Sequence, residues 1–243
     1  MQTLDRLDFE TEASKEIYQF VERHGTAARH RVREMASLSA EQFRDELDRL
    51  TASGYVAEEG GTLRIAVDAG SVERHSTGDL GYAVRPAHND DFESLVDAIR
   101  DVTETADYVV AESVAEQLLY EDTVTRHNTV ESRVFFVAEH DDEVVGWTHL
   151  DLPQIEKMSN GAQLTVGVRE AYRERGIGTT LLDRATAWTN ANGYRKVYNS
   201  VPAVNDEAMA FLEAHDWHTE GIRRNHYTLD GDLVDEVMMA REV

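Results

Sequence analysis

Cysteine is absent from the 243 residues. That excludes disulfides, thiolate nucleophiles and zinc sites built on cysteine. The ten histidines are scattered. They form no HExxH and no pair at metal-ligand spacing, so no metal centre is expected. No run approaches the ~18 apolar residues of a membrane span. The opening stretch MQTLDRLDFETEASKE has neither a basic n-region nor an apolar h-region, so no signal peptide is read. A cytoplasmic protein with no membrane association is expected. Lysine is nearly missing, with only Lys15, Lys157 and Lys196 among 24 basic residues. Against these stand 47 acidic residues, for a net charge of −23. A heavily acidic, lysine-poor chain suggests adaptation to high intracellular salt. Carboxylates hold water and keep molecules apart, while ~1 M salt shortens the Debye length to about 3 Å. Hydrophobic residues make up 41%, enough to bury a core and exclude wholesale disorder. The length suits one large domain or two small ones. No internal repeat or low-complexity tract is seen.

What is present divides in two. Ile17, Phe20 and Val21 share one helical face, and Gly25 can end that helix. A second short helix is expected from about residue 26, carrying Val32, Met35 and Leu38. Ser39 and Gln42 form a capping box for a third helix, which turns Phe43, Leu47 and Leu50 inward before Gly54. Residues 55–58 and 62–67 read as two strands around a Glu59-Gly60-Gly61 turn. Three helices and a hairpin resemble a winged helix-turn-helix domain, covering about residues 10–68 of a first domain at 1–68. Residues 69–80 are polar and aperiodic and read as a linker.

Residues 81–243 alternate strands and helices, a mixed α/β domain. Strands are expected at 82–86, 134–139, 144–150, 164–168, 194–200, 217–229 and 233–241. Helices are expected around Phe92 to Ile99, around Val114 to Val124, around Leu181 to Trp188, and at 205–215. The informative stretch is LTVGVREAYRERGIGTTLL, from Leu164 to Leu182. A strand leads into Arg173-Glu174-Arg175-Gly176-Ile177-Gly178, and Thr179 opens a helix. Gly176 and Gly178 let the backbone approach a ligand, and the unpaired N–H groups at the helix start make an anion site. A pyrophosphate fits it; so would a plain tight turn. The dinucleotide fingerprint GxGxxG and the Walker loop GxxxxGK[ST] are both absent.

With its surroundings, this stretch resembles the acetyl-CoA signature of the GNAT superfamily of N-acetyltransferases. Val134 to Trp147 is similar to that family's second and third strands. Asn205-Asp206-Glu207-Ala208 with Phe211 and Trp217 is similar to its N-x-x-A motif. The resemblance spans about two-thirds of the chain. It implies an α/β mixed-sheet acetyltransferase domain, acetyl-CoA as donor and an amine on a small molecule or protein as acceptor. It also implies that Val166, Gly167 and Val168 bond the pantetheine arm, with one N–H polarising the thioester carbonyl. Arg173, Glu174, Arg175, Gly176, Ile177, Gly178 and Thr179 would cradle the pyrophosphate. Asn205 would reach the cofactor, cap the next helix, or both.

Direct transfer to an amine needs a base, an oxyanion donor and an acid for the leaving thiolate. The positions matching the family's usual Glu and Tyr hold Ala162 and Leu212. His149 is the substitute base expected from the sequence, with Asp151 as a helper and Tyr198 or Tyr227 as acids; a strand histidine and packing tyrosines are the bland alternatives. The rival function is a non-catalytic acetyl-CoA sensor acting through the winged helix. That domain's third helix carries Glu41, Asp45, Glu46 and Asp48 against Arg44 and Arg49. Residues 1–80 hold ten basic and sixteen acidic side chains, poorly suited to phosphate. The basic cluster is Arg29, His30, Arg31 and Arg33. A protein-docking or homodimer surface therefore stands beside DNA as the role of residues 1–68.

The acidity generates the first prediction. Below about 0.5 M KCl the carboxylates repel over a longer Debye length, so the melting temperature should fall as KCl is withdrawn. A melting temperature that holds or rises would contradict the salt-adapted reading.

Overall fold

The computed structural model describes residues 7–105 and 109–243, so the first six residues of the expected N-terminal domain lie outside the described residues. The chain begins with α1 (Glu12–His24), β1 (Thr26–Ala28), α2 (Arg29–Ala36), α3 (Ala40–Ala52), β2 (Val56–Glu59) and β3 (Thr62–Ile65). Thr11 caps α1 by accepting the Ser14 N–H at 3.0 Å, and Gly25 ends it at a φ of 65°. The capping box on α3 is present: Ser39 Oγ accepts the Gln42 N–H, and Gln42 Oε1 accepts the Ser39 N–H. Phe43, Leu47 and Leu50 then pack with Ile17, Val21, Val32 and Leu63 into one buried cluster. The expected helical start near residue 26 is corrected. Thr26, Ala27 and Ala28 pair with β3, and the strands order β1-β3-β2. The Arg29 N–H bonds the Gly61 carbonyl at 2.9 Å, which holds this segment extended until α2 begins.

The second part runs β4 (Glu73–Thr77), β5 (Leu80–Pro86), α4 (Phe92–Thr105), α5 (Val109–Glu121), β6 (Arg126–His127), β7 (Glu131–His140), β8 (Glu143–Pro153) and β9 (Gly161–Val168). It continues through α6 (Ile177–Ala191), β10 (Lys196–Pro202), α7 (Asp206–Glu213), β11 (His218–Leu229) and β12 (Asp232–Glu242). The strands form one sheet in the order β11-β12-β10-β9-β8-β7-β5-β4, with β6 beside β7. β9 and β10 are parallel and the other neighbours antiparallel. The 69–80 stretch is not wholly irregular, because β4 is an edge strand paired with β5. Arg184 of α6 holds it by donating to the Ala69 carbonyl at 2.6 Å and by pairing with Glu73. An edge strand of Glu, Arg, His, Ser and Thr carries no apolar alternation to read.

Both faces of the sheet are covered, so β7 is buried continuously from Ser132 to Ala138. On one face Val134, Phe136, Leu150 and Leu164 meet Leu181, Leu182 and Ala185 of α6. On the other, Phe135, Val137 and Trp147 meet Leu95 and Ile99 of α4 and Val114 and Leu118 of α5. Val124 belongs to this second cluster but follows the end of α5. No helix among the described residues is long and apolar enough to cross a membrane.

The two parts meet through specific groups. Tyr18 Oη donates to the His127 carbonyl at 2.7 Å. Glu22 accepts from Arg126 at 2.9 Å, and Arg126 and Arg133 both pair with Glu121. Gly25 sits in this seam: a Cβ there would lie 2.3 Å from Thr123 Oγ1 and 2.6 Å from Asn89 Oδ1. Asn89 is not free to yield, since its Oδ1 accepts the Val124 N–H at 2.9 Å. Gly25→Ala should therefore cost more than the roughly 1–2 kcal/mol of a left-handed backbone alone. Gly60→Ala, at a φ of 58° but with open space around it, should cost only that backbone term. Thermal melting of the two variants side by side checks the difference.

Candidate functional site

The site is a gap in the sheet. β9 and β10 pair at only three positions, Gly161 with Lys196, Ala162 with Val197 and Gln163 with Tyr198. Beyond them each strand stays with its outer neighbour. β9 follows β8 to Val168 opposite Gly146, and β10 follows β12 to Pro202 opposite Glu236. Between them opens a cleft of about 330 Å³ lined by Thr165, Val166, Gly167 and Val168 on one side and Asn199, Ser200, Val201 and Pro202 on the other. The Arg169 N–H bonds the Val145 carbonyl at 3.0 Å. By strand alternation Thr165 and Gly167 also direct their backbone groups to β8, and Val166 and Val168 direct theirs into the gap. Gly167 has a packing reason: a Cβ there would meet the Trp147 indole at 2.9 Å.

The cleft ends on the turn into α6. Arg173 Nε donates to the Val168 carbonyl at 3.1 Å, while its buried Nη2 has no hydrogen-bond partner. Glu174 and Gly176 are left-handed, at φ 59° and 79°, and no atom lies within 4 Å of where a Gly176 Cβ would sit. The helix starts at Ile177 with Gly176 as its cap, two residues before the expected Thr179. The first bond of α6 runs from the Thr180 N–H to the Gly176 carbonyl at 3.0 Å. The N–H groups of Ile177, Gly178 and Thr179 therefore have no intrahelical partner. They combine with the positive end of the helix to favour an anion.

Of the residues expected at the cofactor, Val166, Gly167, Val168, Arg173, Glu174, Gly176, Ile177, Gly178 and Thr179 line the cleft. Arg175 is exposed outside it. Asn205 is buried and caps α7, its Oδ1 accepting the Ala208 N–H at 3.0 Å; it does not line the cleft. The expected base, His149, is not in the lining either. It lies under the sheet surface, 4% exposed, against the Phe135 ring. Neither ring nitrogen has a hydrogen-bond partner. Burial, with the Arg133 charge adding to it, pushes its pKa down to about 3. Such an imidazole is a feeble base outside the cleft lining.

Val109, Val110 and Ala111 form one wall at the start of α5, and His215 forms another with Phe211 and Leu212 of the N-x-x-A region; of these, Val109 to Ala111 and His215 were not foreseen. His215 holds two elements together: Nδ1 bonds the Phe211 carbonyl at 2.7 Å and Nε2 bonds Thr179 Oγ1 at 3.0 Å. A carbonyl only accepts, so Nδ1 carries a proton. The Phe211/His215 spacing at i, i+4, running from α7 into the turn that ends it, was a usable signal. The share of β10 in the cleft depends on strand register and had none.

A match to the Acetyltransferase (GNAT) family covers residues 96–217. The chain belongs to the GNAT acetyltransferase family. It is 33% identical over 115 residues to an N-alpha-acetyltransferase of Sulfurisphaera tokodaii, covering 44% of this chain and 67% of that protein. To an N-alpha-acetyltransferase of Saccharolobus solfataricus it is 32% identical over 117 residues, covering 44% and 68%. Among solved structures, a GNAT acetyltransferase of Streptococcus pneumoniae superposes with a TM-score of 0.56 at 18% identity, over 67% of this chain and 99% of that one. The ribosomal-protein-S18-alanine N-acetyltransferase of Escherichia coli gives 0.53 at 16% identity, over 67% and 94%. These likenesses show the fold; the family match assigns the chain to the acetyltransferases.

His149 generates a pH prediction. Its folded pKa is depressed to about 3, against about 6.5 in an unfolded chain. Above the unfolded value both states are neutral and nothing is lost. As pH falls below it, only the unfolded state takes the proton, so stability declines until the folded pKa is passed. His149→Phe should flatten that part of the stability profile. Denaturant melts of both proteins between pH 7 and pH 4 check it, and parallel profiles would contradict the buried neutral imidazole.

Proposed function

We propose that this GNAT protein is an acetyl-CoA-dependent N-acetyltransferase whose acceptor is the α-amino group of a polypeptide. The observation that carries the donor half is the opened β9–β10 seam ending on the N-terminus of α6. Val166 and Val168 offer backbone N–H groups along the slot, suited to the amides of a pantetheine arm and to one polarised thioester carbonyl. The free N–H groups of Ile177, Gly178 and Thr179, with the buried Nη2 of Arg173, suit a pyrophosphate. Glu174 and Glu207 also border the cleft; Arg173, 3.7 Å from Glu207, offsets one of these charges. When bound, acetyl-CoA supplies the activated acetyl group. The acceptor half draws on the names of the two N-alpha-acetyltransferase relatives.

A second reading has its own observation. Ala162 and Leu212 are fully buried core residues, so the positions that usually hold acid and base carry no proton. That favours a non-catalytic acetyl-CoA sensor. In either reading we take the N-terminal helices and hairpin as a winged helix. The exposed residues of α3 include Glu41, Asp45 and Asp48 against Arg44 and Arg49, a surface without a basic face and better matched to a protein partner than to DNA phosphates.

Calorimetry and a thiol-release assay in molar KCl separate these readings. Gly176→Val and Gly178→Leu should each weaken coenzyme A binding about tenfold or more, through the left-handed backbone at 176 and the Phe211 ring 3.4 Å from a Cβ at 178. The wild type should release thiol with peptides carrying a free α-amine and not with N-terminally blocked ones. Tight binding without thiol release from any amine would leave the sensor.

A further inference from the structure

His215 stands in the wall of the cleft with both ring nitrogens engaged. Nδ1 lies 2.7 Å from the Phe211 carbonyl and Nε2 lies 3.0 Å from Thr179 Oγ1. The Phe211 ring, with its centroid 4.5 Å away, backs the imidazole. The carbonyl fixes the tautomer, because it has no proton to give. In the neutral ring Nε2 is then an acceptor, and the single proton of the Thr179 hydroxyl points at it. Toward the cleft Thr179 Oγ1 is left with lone pairs, which repel an anion. In the imidazolium Nε2 also becomes a donor. The bond to Thr179 Oγ1 reverses, and the hydroxyl proton is free to turn into the cleft. Thr179 lines that cleft in the first turn of α6, among the N–H groups without intrahelical partners. The direction of this one hydroxyl therefore follows the charge on His215.

We propose that His215 and Thr179 form a proton-coupled anion switch: when the coenzyme pyrophosphate enters the cleft, His215 Nε2 takes up a proton and the Thr179 hydroxyl turns from the ring to a phosphate oxygen. This rests on the acetyl-CoA reading above. His215 is a positioning residue that acts through Thr179. The balance is one proton, gained by Nε2 from the buffer; the Thr179 proton changes acceptor without leaving its own oxygen. The sign follows from linkage. A group that holds its proton more tightly with ligand bound adds affinity at low pH, and that addition is lost as pH rises. Coenzyme binding therefore weakens through the neutral range in which imidazoles titrate. The titratable groups that share the lining are Tyr172, Arg173 and Glu174 from the turn before α6 and Glu207 from α7. Asp183 lies one turn after Thr179, and Glu213 and Asp216 flank His215 in the chain; all three are exposed. The carboxylates among these are the rival proton acceptors when a phosphate approaches. A plain structural pin between α6 and α7 would hold at any pH and exchange no proton with the ligand.

The test uses the full chain in molar KCl with dephospho-coenzyme A. This probe keeps the pyrophosphate and lacks the phosphomonoester, whose own second proton leaves near pH ~6. Calorimetry at pH 7 in buffers of different ionisation enthalpy counts the protons exchanged on binding. The wild type should take up a fraction of one proton. Its affinity should fall about tenfold between pH 6 and pH 8.5, the size of one hydrogen bond to a charged group. His215→Gln should take up none and bind with the weaker, high-pH affinity throughout. Thr179→Val keeps the imidazole without a hydroxyl to turn, and should take up clearly less than the wild type. If His215→Gln does not fold, Thr179→Val carries the test. Binding without proton uptake, uptake that survives His215→Gln, or uptake undiminished in Thr179→Val overturns the switch alone. A wild type that binds neither coenzyme A nor its dephospho form overturns the reading on which the switch rests.

Discussion

The site depends on one feature of the sheet: β9 and β10 pair with each other at one end and part at the other, each keeping its outer partner. After three shared positions each follows its outer neighbour. The antiparallel ladders on either side are long and closed, so the sheet tolerates a split in its middle. The split leaves backbone donors on Val166 and Val168 without strand partners. A buried N–H without a partner is costly, so the gap favours water or a polar ligand. The same divergence aims the start of α6 along the slot and brings α7 across its mouth.

The faces around the split explain which polar groups are available for chemistry. Trp147 fits only because position 167 has no Cβ. The tightness that seats this indole also encloses His149, two residues on along β8, 4% exposed and without hydrogen-bond partners on its ring nitrogens. Elsewhere, interior charge is carried by arginine and carboxylate together. Arg85 holds Asp91 with two bonds and pairs with Glu139. Burial alone would raise the Asp91 carboxyl, but the bonds from Arg85 and from the His88 N–H bring it below its ordinary value. The Glu22–Arg126–Glu121–Arg133 chain ties the N-terminal part to β6 and β7 in the same way. Guanidinium suits these places because its planar fork satisfies several oxygens at once.

Much of this was legible from residue order. The capping box at Ser39, the stop at Gly25 and the glycine turn before α6 are local matters. Each is decided by residues three or four apart, or by the conformational freedom of one glycine. Most of the cleft lining at Val166 to Val168 and Arg173 to Thr179 was legible for the same reason, while Arg175 is exposed outside it. The sequence by itself thus determined most of the elements, their caps and the glycine turn before α6.

Tertiary structure decided what those elements face. β1 and β4 are too short or too polar to carry a period and exist because β3 and β5 offer them a ladder. Whether Asn205 caps a helix or reaches into the cleft, and whether His149 meets solvent, turned on packing from segments far away in the chain. Tyr227 and Glu236 stand 9 residues apart, and their side chains meet at 3.2 Å across a ladder that a bulge shifts by two places. Register is a relation between strands, and the hydrogen bonds that set it involve backbone atoms that every residue shares. Side-chain identity therefore fixed each strand, while the pairing of strands fixed the site.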